Sequence, residues 1–203
     1  MYRVIAYIDG YNLYYGLKSK GWKRFYWLNL VELVRSLLKP EQSFAGVKYF
    51  TALVSDPPDK RKRQSTYIEA IQTVKGIKVY YGKFLAHKKA CRKCGYEHIV
   101  QSEKMTDVNI ATELLVDAFQ DKFDIALVIS ADSDLSSPIT RVKQEFPGKR
   151  VIAVFPPARH SIELQKIATG CFTLGRAKLL DAQFPDEVTK ADGFVLKRPR
   201  EWS

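Results

Sequence analysis

Short apolar runs alternate with amphipathic stretches along all 203 residues. This alternation predicts an α/β fold with a mostly parallel sheet of five to six strands and helices on both faces. Three observations carry the prediction. Residues 4–8, 125–130 and 151–155 are apolar at nearly every position, as in strands covered on both sides. The segments between such runs repeat apolar residues at helical spacing. With 46% hydrophobic and 27% charged residues, the chain can build one real core and is neither disordered nor collagen-like.

The first strand, 4–8, ends at Asp9-Gly10, and 12–18 reads as a short helix. Asn29 is placed to cap a helix running to residue 38, with Glu32 three positions on, Leu30, Val34 and Leu37 on one face, and Pro40 as the stop. Residues 47–54 form the second strand, closed by Ser55-Asp56-Pro57-Pro58. Asp59 is placed to cap the next helix, whose apolar face is Tyr67, Ile68, Ile71 and Val74 and whose end is marked by Gly76. Residues 77–85 are the third strand, and 105–119 are helical through Val108, Ala111, Leu115 and Ala118. Strands at 125–130 and 151–155 enclose a helix at 138–145; a helix at 161–168 follows, and 171–174 adds a sixth strand with Cys171 as a buried small hydrophobe. Two pieces break the rhythm. A polar, Cys/Lys-rich insert lies at about 86–101, and a tail at 181–203, with Pro185, Asp192-Gly193 and Pro199, should lie over the surface of a main domain at 1–180.

Lys and Arg outnumber Asp and Glu by 33 to 22, a net charge of +11. The excess is clustered at Lys18 to Arg24, Lys60 to Arg63, Lys83 to Lys93 and Lys197 to Arg200, which favours polyanionic partners, above all nucleic acid. A merely soluble basic surface is the plainer alternative. A membrane fits poorly, because no stretch approaches ~20 apolar residues and no basic amphipathic helix stands out. The lack of signal-peptide anatomy and the presence of only three cysteines suit a reducing cytoplasm.

In open α/β sheets the functional site lies beyond the carboxyl ends of the strands. Asp9 follows the first strand, Asp132 and Asp134 follow the fourth in Ser130-Ala131-Asp132-Ser133-Asp134, and Asp107 opens the helix before it. Carboxylates brought together need protonation or a cation. Oxygen-only ligands favour Mg²⁺ or Mn²⁺, and such an ion beside a basic groove suits phosphodiester hydrolysis. Each acid also has an ordinary use as a turn or helix-cap residue. Phosphate-loop, dinucleotide-binding, zinc-protease and nucleophile-elbow motifs do not occur in the sequence.

Three blocks, Tyr7-Ile8-Asp9-Gly10-Tyr11-Asn12-Leu13-Tyr14, Glu103-Lys104-Met105-Thr106-Asp107-Val108-Asn109 and Ile129-Ser130-Ala131-Asp132-Ser133-Asp134-Leu135, occur in that order. Together they resemble the signature blocks of the NYN domain, in the LabA-like branch of the PIN-like nuclease superfamily. The resemblance covers roughly residues 1–180 and implies a Rossmann-like sheet and metal-dependent cleavage of RNA. It assigns metal binding to Asp9, Asp107, Asp132 and Asp134, with Asn12 and Ser130 as the polar positions beside them. Glu113 lies six residues after Asp107, about 240° around the helix, and is left out of the site.

Lys60, Arg61, Arg63 and Gln64 open a helix just beyond the second strand and, with Lys104, are candidates to position the RNA backbone. A solvated helix start is the alternative, although cations at a helix N-terminus are locally unfavourable. Tyr11, Tyr14, Tyr15, Trp22, Phe25, Tyr26 and Trp27 are suited to stacking unpaired bases, or else to a core or a homodimer surface. His87, Cys91, Cys94 and His98 offer four zinc ligands within twelve residues, suited to a structural Zn²⁺ in the insert; free thiols in a mobile hairpin are the alternative. The expected activity is that of a cytoplasmic, Mg²⁺- or Mn²⁺-dependent endoribonuclease acting on single-stranded or looped RNA. The alternatives are a non-catalytic RNA-binding or regulatory adaptor with a retained cation site, and a toxin-like nuclease controlled by a partner.

Overall fold

The computed structural model describes residues 1–54, 56–90 and 94–202, with side chains except at 85–89 and 98–103. In chain order the elements begin with β1 (Tyr2–Asp9), α1 (Gly10–Ser19), α2 (Leu30–Leu37), β2 (Gln42–Thr51), α3 (Pro58–Gln72) and β3 (Ile77–Tyr81). A hairpin of β4 (Lys83–Ala90) and β5 (Glu97–Lys104) leads to α4 (Thr106–Phe119), β6 (Ile125–Ile129), α5 (Ser136–Glu145) and β7 (Arg150–Phe155). The chain continues through α6 (Ile162–Ile167), β8 (Gly170–Thr173), α7 (Arg176–Asp181), β9 (Glu187–Thr189) and β10 (Val195–Lys197).

Six strands form one sheet in the order β3-β2-β1-β6-β7-β8, and every pair in it is parallel. From β1 the chain winds outward through β2 and β3; from β6 it winds the other way through β7 and β8. The order reverses between β1 and β6, where a crevice opens in folds of this kind. β1 is central because both its faces are apolar. Val4, Ala6 and Ile8 enter one core cluster, while Ile5 and Tyr7 enter the other. Each fully buried aliphatic side chain of this kind contributes about 1.5–3 kcal/mol.

Local signals set most element boundaries. Asn29 Oδ1 accepts the N–H groups of Val31 and Glu32 at 3.1 and 3.2 Å and starts α2. Asp59 does not cap α3. Pro57 occupies the cap and Pro58 opens the helix, so Asp59 falls in the first turn, where its charge meets the helix N-terminus. The expected third strand at 77–85 is two strands. β3 stops at Tyr81, Gly82 donates its N–H to the Thr51 carbonyl at 2.7 Å, and the chain leaves the sheet as β4. Cys171 is exposed rather than buried, because β8 is the edge strand and exposes three of its four residues.

Beneath α4 lies a charged network. Lys48 of β2, 13% exposed, bonds Glu113 at 2.6 Å and pairs with the fully buried Asp117. Tyr80 donates to Glu113 and Tyr7 donates to Asp117, each at 2.7 Å, and Lys122 approaches Asp117 at 3.3 Å. Burial pushes both carboxyls up, but Lys48 and the tyrosine hydroxyls more than reverse it, leaving both below the usual carboxylate range. After β8 and α7, the β9–β10 hairpin buries Val188 and Leu196, and Trp27 Nε1 donates to the Pro185 carbonyl at 2.7 Å.

Candidate active site

Asp9 is the last residue of β1 and is only 4% exposed. One of its oxygens accepts the N–H of Asn12 at 2.9 Å, which caps α1; the other accepts the Ser130 hydroxyl at 3.0 Å. Ser130 Oγ in turn accepts the N–H of Asp132 at 3.1 Å, and Asp132 Oδ1 accepts the N–H of Asp134 at 3.0 Å. Asn12 Oδ1 accepts the N–H of Ala131 at 3.2 Å, a second tie across the same gap. The ends of β1 and β6 are thus laced together at the reversal of strand order by Asp9, Asn12, Ser130 and Asp132. Burial pushes the Asp9 carboxyl up and the charge of Asp132 adds to the rise, while the bonds from Asn12 and Ser130 oppose it.

The cap geometry that an ordinary structural aspartate would show is therefore present at Asp9 and at Asp132. Both residues also stand at the reversal of strand order, where β1 and β6 end. Gly10 makes that placement possible, because a Cβ there would stand 2.6 Å from the Tyr49 hydroxyl and 2.7 Å from the Phe50 carbonyl. Only a residue without a side chain lets α1 begin so close to β2.

Asp107 is half-buried in the first turn of α4, which follows Met105 in the left-handed conformation (φ 79°). α4 rests on the 3₁₀ turn Ser133–Leu135, where Ile110, Leu114 and Leu135 share one core cluster. Asp134 is exposed on that turn. The structure brings Asp9 and Asp132 into one bonded chain that ends at the Asp134 N–H, and places Asp107 on α4 beside it. Among the described residues no three Asp, Glu, His or Cys side chains are gathered as a metal site. Glu113 is turned to Lys48 and Tyr80.

Lys60 and Arg61 are exposed at the start of α3, and Lys104 is exposed at the end of β5. Arg63 pairs with Glu201 at 2.8 Å. Gln64 accepts the N–H of Val54 at 2.8 Å and donates to the Ala52 carbonyl at 2.9 Å, so its amide holds the loop after β2. Of the zinc candidates, Cys94 is exposed, Cys91 lies outside the described residues, and the side chains of His87 and His98 lie outside them too.

The aromatic cluster divides. Trp27 is core, and Trp22 packs on the buried Phe25. Phe25 also joins Tyr11, Tyr14, Tyr15 and Tyr26 in lining a cavity of about 320 Å³ between α1 and α3. The expected Lys60, Arg63 and Gln64 also line it, as do Tyr49, Tyr67, Glu201 and Trp202, which sequence reading missed as site residues. A tryptophan ending the charged stretch Pro199-Arg200-Glu201 was the available signal, since so large an apolar ring has little reason to be left in water.

The NYN domain family model matches residues 3–175. The chain belongs to the NYN family. This NYN domain therefore sits in the PIN-like nuclease superfamily, whose members generally use divalent metal ions. It is 25% identical over 176 residues to 6-hydroxy-3-succinoylpyridine 3-monooxygenase HspA of Pseudomonas putida (strain DSM 28022 / S16), a match covering 70% of this chain and 55% of that protein. The NYN chain thus spans about half the length of that curated relative. Its fold is similar to the crystal structure of VPA0982, a protein of unknown function from Vibrio parahaemolyticus RIMD 2210633. That likeness has a TM-score of 0.57 at 17% identity and covers 86% of this chain and 94% of the other. No helix among the described residues is long and apolar enough to cross a membrane.

Proposed function

We propose that this NYN domain is a cytoplasmic, metal-dependent endoribonuclease that hydrolyses phosphodiester bonds in single-stranded or looped RNA. The observation that carries the reading is the bonded chain Asp9–Ser130–Asp132 at the β1/β6 reversal, inside a fold of the nuclease superfamily. Its donors are all oxygen, which suits Mg²⁺ or Mn²⁺. Mg²⁺ is commonly held by only one or two carboxylates, with water and substrate phosphate filling the other positions. Asp9 and Asp132 meet that requirement without a third gathered acid. Asn12 and Ser130 engage both oxygens of the Asp9 carboxylate, which has roughly four lone-pair directions and so is not saturated by them. A dication there would also relieve the cost of charging a buried carboxyl beside Asp132.

When bound, such an ion supplies an activated water and screens the phosphate charge. The chain's own part is to orient the acids. Ser130 and Asn12 fix the Asp9 carboxylate and the backbone at Ala131 and Asp132, while Asp107 and Asp134 flank the site. Lys60, Arg61, Arg63 and Lys104 would hold the RNA backbone, with Gln64 keeping the loop before α3 in place.

Cleavage of a labelled single-stranded RNA in Mg²⁺ or Mn²⁺, repeated with Asp132→Asn and with EDTA, tests the reading. Loss of cleavage in both controls supports it. Salt-sensitive binding without cleavage, retained in Asp132→Asn, would replace it with a non-catalytic RNA-binding adaptor. The aromatic cavity, together with the pyridine in the name of the Pseudomonas relative, favours one further reading, an aromatic-acid ligand, tested by titrating 6-hydroxy-3-succinoylpyridine against tryptophan fluorescence.

A further inference from the structure

We propose that the cavity between α1 and α3 receives one unpaired base of the RNA next to the scissile bond, with Trp202 and the Arg63–Glu201 pair as its outer wall. The inference rests on the RNA-hydrolysis reading and adds how the strand is held.

Position comes first. Gly10 lines the cavity and directly follows Asp9, and Thr51 at the end of β2 lines it from the other side. An occupant therefore sits beside the end of β1, one residue along the chain from Asp9. Chemistry comes second. The walls are rings set at varied angles: Tyr14 against Tyr26 at 4.9 Å and 45°, Tyr26 against Trp202 at 5.7 Å and 89°, and Tyr67 against Trp202 at 6.2 Å and 78°. Such walls offer both faces and edges to a planar ring. The hydroxyls of Tyr14 and Tyr26 make no hydrogen bond among the described residues. Burial pushes the Tyr26 hydroxyl up to about 12, so it stays protonated at neutral pH and can donate to a base.

Charge narrows the occupant. Lys18, Lys23, Lys60 and Arg63 border the cavity against the single carboxylate of Glu201, which Arg63 already engages. A planar group attached to a phosphate matches that surplus, while a neutral apolar ligand would leave it unused. At about 320 Å³ the cavity is at the lower end of the ~300–1,000 Å³ of small-molecule sites, right for a ring system and far too small for a base pair with its backbone. A base must leave its stack to enter, which supplies a physical reason for preferring single-stranded or looped RNA.

The test is binding in EDTA, where no cleavage occurs. The probes are a fluorescein-labelled single-stranded decanucleotide and the same strand with one abasic site moved along it. Trp202→Ala should weaken the intact strand about 5- to 100-fold, as expected when one base loses an aromatic platform, and Trp202→Phe should recover most of it. One abasic position should reproduce the loss and make Trp202→Ala nearly silent. The slope of affinity against salt should stay as in the wild type, because no phosphate contact is removed. Tyr14→Leu, on α1 where Tyr14 lines the same cavity, repeats the test should Trp202→Ala fail to fold.

Folded variants that bind the intact strand like wild type would overturn the proposal. So would tight 6-hydroxy-3-succinoylpyridine binding that RNA does not displace, since the cavity would then belong to a small aromatic acid. Base-dependent binding without any cleavage in Mg²⁺ or Mn²⁺ would sink the hydrolysis reading alone. Cleavage that ignores both wall variants and abasic sites would sink the base pocket alone.

Discussion

Replacing Lys48 with Met removes the cation that, among the described residues, bridges Glu113 and Asp117 beneath α4. Removing one partner of a buried ion pair typically costs about 3–5 kcal/mol, because the other charge is left uncompensated. Asp117 keeps the Tyr7 hydroxyl at 2.7 Å and Lys122 at 3.3 Å, and Glu113 is partly in solvent, so the lower end, about 3 kcal/mol, applies. For a chain of this size that corresponds to a melting temperature about 6–12 °C lower at pH 7. The sign of the pH dependence follows from the two depressed carboxyls. Their stabilisation is present above the unfolded carboxylate range near pH 4 and is lost as pH falls through the lower folded values. The gap between wild type and Lys48→Met should therefore be widest near neutrality and close toward pH 3. Adding Asp117→Asn should recover much of the loss, since a neutral amide tolerates the site without its cation. Thermal unfolding followed by circular dichroism between pH 3 and 8 reads all of this. A Lys48→Met protein within 2 °C of wild type at pH 7, or a gap indifferent to pH, would refute the reasoning.

Three more outcomes follow from the site and its supports. Asp9→Asn should abolish cleavage yet melt higher than wild type at pH 7–8 without divalent metal. The raised Asp9 carboxyl opposes folding once ionised, so the difference should disappear below about pH 4, and a lower melting point at neutrality would count against it. Gly10→Ala should cost about 1–3 kcal/mol by forcing α1 off β2, seen as a shift in urea midpoint; an unchanged midpoint would show that the contact relaxes freely. Asn29→Ala should cost about 1 kcal/mol through the lost cap of α2, and Asn29→Asp should not.

Much of the fold was legible because its signals are local. Buried parallel strands appear as unbroken apolar runs, and β1 and β6 have such runs at their centres. Asn29 caps where a cap residue should. What escaped depends on position in the sheet or on distant partners. Cys171 has the character of a buried residue, but its strand ends at the sheet edge. The segment 77–85 carries one continuous strand-like pattern, yet only its first part finds a neighbour in β2. The site divides along the same line. Asp9, Asn12, Ser130 and Asp132 stand in short motifs beside strand ends, so their meeting could be inferred. The cavity could not, because Trp202 meets Tyr26 and Tyr67 from a segment far from both in the chain.

The reversal of strand order divides the chain into two half-sheets, β3-β2-β1 and β6-β7-β8, joined through the β4–β5 hairpin and α4. Asp9 belongs to the first half, Ser130 and Asp132 to the second, and the bond between Asp9 and Ser130 spans 121 residues. Neither half carries the bonded acids by itself. The hairpin begins and ends with Lys83 and Lys104 paired side by side, so the chain can be interrupted there without pulling on the sheet. Two polypeptides separated within that hairpin should regain the Asp9–Ser130 bond, and with it the proposed cleavage, only when β1 and β6 zip together again. The same seam makes this domain a candidate for a split reporter whose signal is the rejoining of its two halves.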